Sequence, residues 1–185
     1  RPMRPLFPKD YRNDVTLNNL VMSVDPDCRP ELVAMLGSSI ATCISDIPFD
    51  GPCATTQIGL VNGEFIVNTN QVQWKDGDLQ LTVASTSEKV IMIEAGANIV
   101  PEAKMIEAIY MAHDINHKII AWINDICAEV GKKKHEYTSC AVPAEMFEAM
   151  KKIVTPEEME TAVFTDEKQV REENIRKVTE KLEEA

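Results

Sequence analysis

Residues 25–48 read DPDCRPELVAMLGSSIATCISDIP, and between Glu31 and Asp46 they carry no charged side chain. Pro30 suits the first turn of a helix, where its missing N–H costs nothing. Glu31 there faces the positive end of the helix dipole, and Asp46-Ile47-Pro48 closes the run. A helix apolar on every side is a buried helix. At about four turns it is too short to cross a membrane. The pattern predicts a central helix that the rest of the chain wraps, with its N-terminus as the natural place for anion chemistry.

Upstream, VTLNNLVMSV at 15–24 is apolar and β-branched and ends on the turn signal Asp25-Pro26, which reads as a strand. Before it, RPMRPLFPKDYR at 1–12 has three prolines in its first eight residues and reads as an ordered loop or short turn. This segment sets Arg1, Arg4, Lys9 and Arg12 against Asp10 alone. Arginines among proline, Phe7 and Tyr11 suit a polyanion, and equally suit pairing with acidic neighbours.

Downstream, Asp50-Gly51-Pro52 is a turn, and CATTQIGLV at 53–61 is the next strand. Asn62-Gly63 before EFIVN is the strongest hairpin signal in the chain. Asp76-Gly77 marks another turn, and DLQLTVAS at 78–85 and KVIMIEAG at 89–96 form a second hairpin. Pro101 opens a helix running to Val130, with Met105, Ile109, Ala112, Ile119, Ile123, Ile126 and Val130 as its apolar stripe. Unbroken, it spans about 45 Å, so a kink or a projecting end is expected. Gly131 and Lys132–Lys134 stop it, the lysines as a solvated cluster at the helix end. KHEYTSCAVP at 134–143 is the expected boundary. Beyond it, Pro143–Val154 buries Met146, Phe147, Met150 and Ile153, and Thr155-Pro156-Glu157-Glu158 is a capping box. Thr165 or Asp166 caps a last helix with Val170, Ile175, Val178 and Leu182 inward. The fold class is α+β over residues 1–134, followed by the start of an all-helical segment over 135–185.

The chain has 185 residues, 44% of them hydrophobic, and a formal charge of −11. That balance argues against nonspecific nucleic-acid binding by the chain as a whole, although its start is basic and its tail acidic. Five cysteines, Cys28, Cys43, Cys53, Cys127 and Cys140, form no C-x-x-C and are odd in number. Free, buried thiols in a reducing compartment explain them better than disulfides. With no signal-peptide, membrane-spanning or lipidation pattern, a cytoplasmic chain is expected. Both ends read as cuts through a longer protein.

His113-Asp114-Ile115-Asn116-His117 places two histidines four apart, as in zinc hydrolases with H-E-x-x-H. The pair lies off the apolar stripe without an evident third ligand, so a surface role outweighs a metal role. Asp76 and Asp78 around Gly77 read as a turn before they read as a hard-metal site. Cys43 and Cys53 lack a neighbouring histidine that would make either a nucleophile. No Gly-rich phosphate loop or Ser-His-Asp pattern occurs.

RPMRPLFP, NDV, SVDP, AMLGSSIA, IPFDGP, IGLVNGEFIVN and DLQLTVAST stand in one order and spacing. Together they resemble the polynucleotide phosphorylase family, over essentially the whole chain. The segments are similar to the later part of its first RNase PH-like core, and PEAKMIEAIYMAHD and the capped helices to that core's end and the following helical domain.

The resemblance implies an RNase PH-like (ribosomal protein S5 domain 2-like) mixed sheet with packed helices. It implies a phosphate-dependent 3′-to-5′ exoribonuclease releasing nucleoside diphosphates, with inorganic phosphate as substrate, Mg2+ as metal, and a homotrimer around a channel for RNA. Proteins of RNA degradation are its partners, and no membrane is. The family's second core, absent here, is the catalytic one. Where that core has a serine run for phosphate, this sequence has Arg29, Pro30 and Glu31. Where it has aspartate and lysine, this sequence has Gln80 and Thr82. No catalytic or metal residue is therefore expected here, and the isolated chain is expected to be inactive. Arg1 and Arg4 match arginines near the channel loop, so Arg1, Arg4 and Arg12 are the candidate RNA-binding residues. Asn68-Thr69 lacks a proline usual in the family, and Ser85 replaces a glycine. The alternative is a stand-alone, non-catalytic RNA-binding or assembly module.

Overall fold

A computed structural model describes residues 1–185. The chain forms two compact units, Arg1–Ser139 and Cys140–Ala185. In the first, a 3-10 turn at Arg4–Leu6 precedes α1 (Pro30–Ile44), β1 (Ala54–Val61), β2 (Glu64–Val67), α2 (Gln71–Asp76), β3 (Leu79–Ser85), β4 (Val90–Ala97) and α3 (Glu102–Val130). The strands lie in the order β2-β1-β3-β4. Every pairing is antiparallel, where a mixed sheet was expected. The reason is that the strands come as two hairpins, and α2 carries the chain from β2 across to β3 on the other side of β1, so that each neighbouring pair is antiparallel. Asn62 and Gly63 both take positive φ, 51° and 82°, as a two-residue hairpin turn between twisted strands demands.

Alternation divides the sheet. Ile58, Leu60, Leu79, Leu81 and Val83 point to one face and pack on Ala108 and Ala112 of α3. The 29-residue α3 is continuous. Its buried stripe is Ala108, Ala112, Asn116, Ile120 and Ile123, so Val130 of the expected stripe is exposed. The small alanines let α3 approach the sheet closely, and Asn116 occupies the centre of the stripe.

The other sheet face looks toward α1, where the expectation of an all-round buried helix is overturned. The buried residues of α1 are the small polar ones, Ser38, Ser39 and Thr42. Val33 is 66% exposed, and Gly37 and Ala41 are exposed too. The hydroxyls are accommodated by donation: Thr42 to the carbonyl of Ser38, Ser38 to Asn19 Oδ1. Ser39 Oγ accepts from the Cys53 N–H. The expected strand at 15–24 is also absent: the segment is irregular and pairs with no strand. A β-branched run forms a strand only beside a partner. Without one, Leu20 and Met22 stand 85% and 91% exposed.

The lysine cluster after α3 is not wholly solvated. Lys134 Nζ donates to the carbonyls of Thr42, Cys43 and Ser45 at 2.8–3.1 Å, a cation held at the negative end of α1. Lys132 N–H donates to Ile44 O, and His135 N–H to Asp46 O. His135 and Tyr137, which composition groups with the helical segment, bond to Tyr11 and Asp10 of the first unit.

The second unit holds α4 (Ala144–Ile153), α5 (Pro156–Val163) and α6 (Lys168–Glu183). The capping box at Thr155 and Glu158 forms as its sequence predicts. α6 differs: Glu167, not Thr165 or Asp166, stands at its N-cap, without a side-chain cap bond. Met146, Phe147, Met150, Val170 and Ile175, expected inward, are exposed. Three short helices bury only Val154 and Ala162 fully.

Candidate functional site

The cross-strand register lays three rows over the sheet face that looks toward α1: Thr55, Ala84 and Met92; Gln57, Thr82 and Glu94; Gly59, Gln80 and Gly96. Directly opposed residues of antiparallel strands share a face. A cleft of about 480 Å³ lies over this floor, with Arg29, Glu31, Leu32 and Met35 of α1 and its approach as one wall and Trp74 of α2 as another. Pro2 completes the rim.

Each wall is held from its own sequence. Asn70 accepts from the Gln73 N–H and Gln73 returns a bond to the Asn70 N–H, a capping box that starts α2 and presents Trp74. Gln80 Nε2 donates to the Trp74 carbonyl, tying α2 to the floor. Buried Gln57 accepts from the Thr69 hydroxyl at 3.2 Å. Gly59 is required there, since a Cβ would lie 2.4 Å from the Thr69 methyl.

At the N-terminus of α1, Arg29 Nε donates to Glu31 Oε1 at 2.8 Å and Nη2 lies 2.7 Å from the same oxygen. The guanidinium carbon also sits 4.3 Å from the centre of the Trp74 ring. Glu31 is held below the usual carboxylate range chiefly by its own backbone N–H, which outweighs the opposing effect of burial, with Arg29 lowering it further. The helix N-terminus thus carries its own anion, and the fork of the adjacent arginine is closed on it.

Arg29, Glu31, Gln80 and Thr82, drawn from separate stretches of sequence, meet in this one cleft. Gln57, Trp74 and Glu94 were not foreseen. The N-x-x-Q spacing of Asn70 and Gln73 is a capping signal that could have disclosed α2 and with it Trp74. Gln57 and Glu94 follow only from strand register. Arg1, Arg4 and Arg12 lie elsewhere, all exposed; Arg4 is in the 3-10 turn and Arg12 donates to Lys9 O.

The remaining candidates do not assemble a second centre. The rings of His113 and His117 meet edge to face at 4.5 Å, and no group of three His, Cys, Asp or Glu side chains is placed to hold a metal ion. Asp76 ends α2, and Asp78 bonds through its backbone to Leu60 and Asn98. Burial pushes the Cys43 thiol up to about 12 and the Cys53 thiol up to about 11, far from a thiolate nucleophile.

Residues 51–115 match the family described as 3′ exoribonuclease family, domain 2. Over 184 residues and its full length, the chain is 70% identical to a polyribonucleotide nucleotidyltransferase of Lachnoclostridium phytofermentans, of which it covers 26%. It is 48% identical over its full length to that of Ruminiclostridium cellulolyticum, covering 26% of it. With that of Clostridioides difficile it shares 46% identity, over 97% of this chain and 26% of the relative. The chain therefore spans about a quarter of the length of these relatives. The crystal structure of rice Rrp46 shares the fold at a TM-score of 0.50 and 15% identity, over 57% of this chain and 51% of that one.

Proposed function

Because the chain corresponds over its whole length to one segment of the polyribonucleotide nucleotidyltransferases, we propose that it is the non-catalytic first-core portion of such an enzyme. In this reading the parent degrades RNA from its 3′ end with inorganic phosphate, in the cytoplasm, as a homotrimer. This portion supplies assembly surface and, through Arg1, Arg4 and Arg12, part of the RNA path.

The observation that carries the non-catalytic role is the closed Arg29–Glu31 pair at the N-terminus of α1. An N-terminus that binds phosphate offers free N–H groups and positive charge, and here the Glu31 carboxylate already takes its own N–H and the Arg29 guanidinium. The floor beneath adds amide and hydroxyl groups at Gln80 and Thr82, which supply neither a general base nor a hard-metal ligand. Glu94 is the one carboxyl group of the floor, and Glu31 is tied to Arg29. That donor set does not fit Mg2+, so in this reading the metal is held by another part of the parent.

The reading as an assembly module draws on the exposed apolar side chains of Leu20, Met22 and Val33. Phosphorolysis of oligo(A), followed as ADP release, tests the non-catalytic role. Release by the complete Lachnoclostridium phytofermentans relative and none by this chain is expected. Turnover by this chain alone would overturn the non-catalytic role.

A further inference from the structure

We infer that the cleft between α1 and the sheet binds a nucleoside, an uncharged base with its ribose, and discriminates against a phosphate. The inference stands on the cleft alone and does not depend on an RNA path over the N-terminal arginines.

The volume, about 480 Å³, falls within the range of pockets that enclose small ligands. Charge decides which ligand. Arg29 is the only cationic side chain of the lining, and it is spent on Glu31. Glu94 adds a second acid on the opposite side. An entering phosphate meets two acids and one engaged arginine, so its approach is repelled.

The polar floor has the opposite character toward a base. Gln57, Gln80 and Thr82 sit on adjacent strands of one face, and each side chain both donates and accepts. A nucleobase edge offers the same mixture. Glu94, one strand further across, suits ribose hydroxyls, which donate to carboxylates in dinucleotide sites. Met35 and Met92 are adaptable apolar walls for the faces of a ring. The Arg29 guanidinium against Trp74 makes a flat cationic platform of the kind on which bases stack.

One atom of the floor remains unsatisfied. Thr55 Oγ1 is buried and has no hydrogen-bond partner, although buried hydroxyls ordinarily have one. Thr55 begins the row of Ala84 and Met92 and lines the cleft. The hydroxyl itself is closed off from solvent, so pairing with a ligand atom requires the side chains over it to part.

Trp74 reports occupancy directly, because the chain has only two tryptophans. Trp122→Phe removes the other, which lies half-exposed on α3. Adenosine is expected to change Trp74 emission saturably, AMP to bind at least about tenfold more weakly, and inorganic phosphate to have no effect. Glu31→Gln should narrow the gap between AMP and adenosine. Gly96→Leu fills the cleft: a Cβ there meets only Gln80 Oε1, at 3.8 Å, so the urea midpoint should hold while the adenosine response is lost. Glu94→Ala, at an exposed position, is the second variant and should weaken adenosine without affecting 2′,3′-dideoxyadenosine. The inference is overturned by AMP or phosphate binding as tightly as adenosine, or by no saturable response at millimolar adenosine. Adenosine affinity unchanged in both Gly96→Leu and Glu94→Ala overturns it equally, since binding would then lie elsewhere.

Discussion

The Thr56 hydroxyl donates to Asn116 Oδ1 across 2.7 Å, in the middle of the buried interface between β1 and α3. Asn116 Nδ2 donates in turn to the Val83 carbonyl at 3.0 Å and to Ser85 Oγ at 2.9 Å. One side chain on the helix thus pins two strands, and its register with them, through a network closed to water.

Asn116→Leu keeps approximate volume and removes all three bonds. It leaves the Thr56 hydroxyl buried and unpaired, and such orphaned groups cost about 1–3 kcal/mol each. A loss of roughly 2–4 kcal/mol in urea unfolding is expected. The double variant with Thr56→Val should recover part of it, because the orphan is then gone. Equal losses in the single and double variants would show that the network contributes only packing.

Lys134 closes α1 from outside the helix. Its ammonium group bonds three carbonyls at the helix C-terminus, where charge opposes the dipole. Lys134→Met retains most of the apolar stem and should cost about 1–2 kcal/mol. Hydrogen exchange should quicken in the last turn of α1, at Thr42 to Ile44, with β1 unaffected. Uniform acceleration across the first unit would instead mean that Lys134 acts on global stability.

The sequence could disclose Asn62-Gly63 and the Thr155 capping box because each is a local conformational requirement. It could not disclose that α1 would bury its hydroxyl side. That choice depends on the polar sheet face opposite, where Cys53 N–H seeks Ser39 Oγ. The run at 15–24 failed for a related reason: an apolar, β-branched run reports a fitness for pairing, and the partner lies outside the pattern. In the cleft, Arg29, Glu31, Gln80 and Thr82 could be singled out by likeness to a family. Gln57 and Glu94 join them only through the pairing Gln57–Thr82–Glu94, which is a property of register.

The half-buried Cys43 thiol and the buried Cys53 thiol set an alkaline limit. Cys43 and Cys53 titrate at about 12 and about 11 in the folded chain, chiefly because burial disfavours the thiolate. An unfolded thiol titrates near pH 8.5–9. Between these values the unfolded chain binds fewer protons than the native one, so unfolding free energy falls as pH rises. Stability should be flat with respect to these thiols below about pH 8.5 and decline above pH 9, by at most about 1.4 kcal/mol per pH unit for each thiol. Cys53→Ala should flatten the decline. At pH 8, Cys28, which is exposed, should alkylate well before Cys53. Equal rates would contradict the burial of Cys53.

The N-terminal arginines predict a salt dependence that separates an RNA path from generic adhesion. Arg1, Arg4 and Arg12 are exposed on a chain of net charge −11, so attraction must be local and should survive only at low ionic strength. Each phosphate neutralised on a single strand contributes about −0.7 to the slope of log K against log salt. Three arginine contacts therefore give a slope near −2, measured by anisotropy with labelled oligo(A). Replacing one arginine with alanine should reduce the slope by about 0.7. Arg4→Ala should do so without altering the fold, since its side chain is exposed in the 3-10 turn while Met3 and Leu6 make the buried contacts. A slope unchanged by all three substitutions would remove these residues from the RNA path.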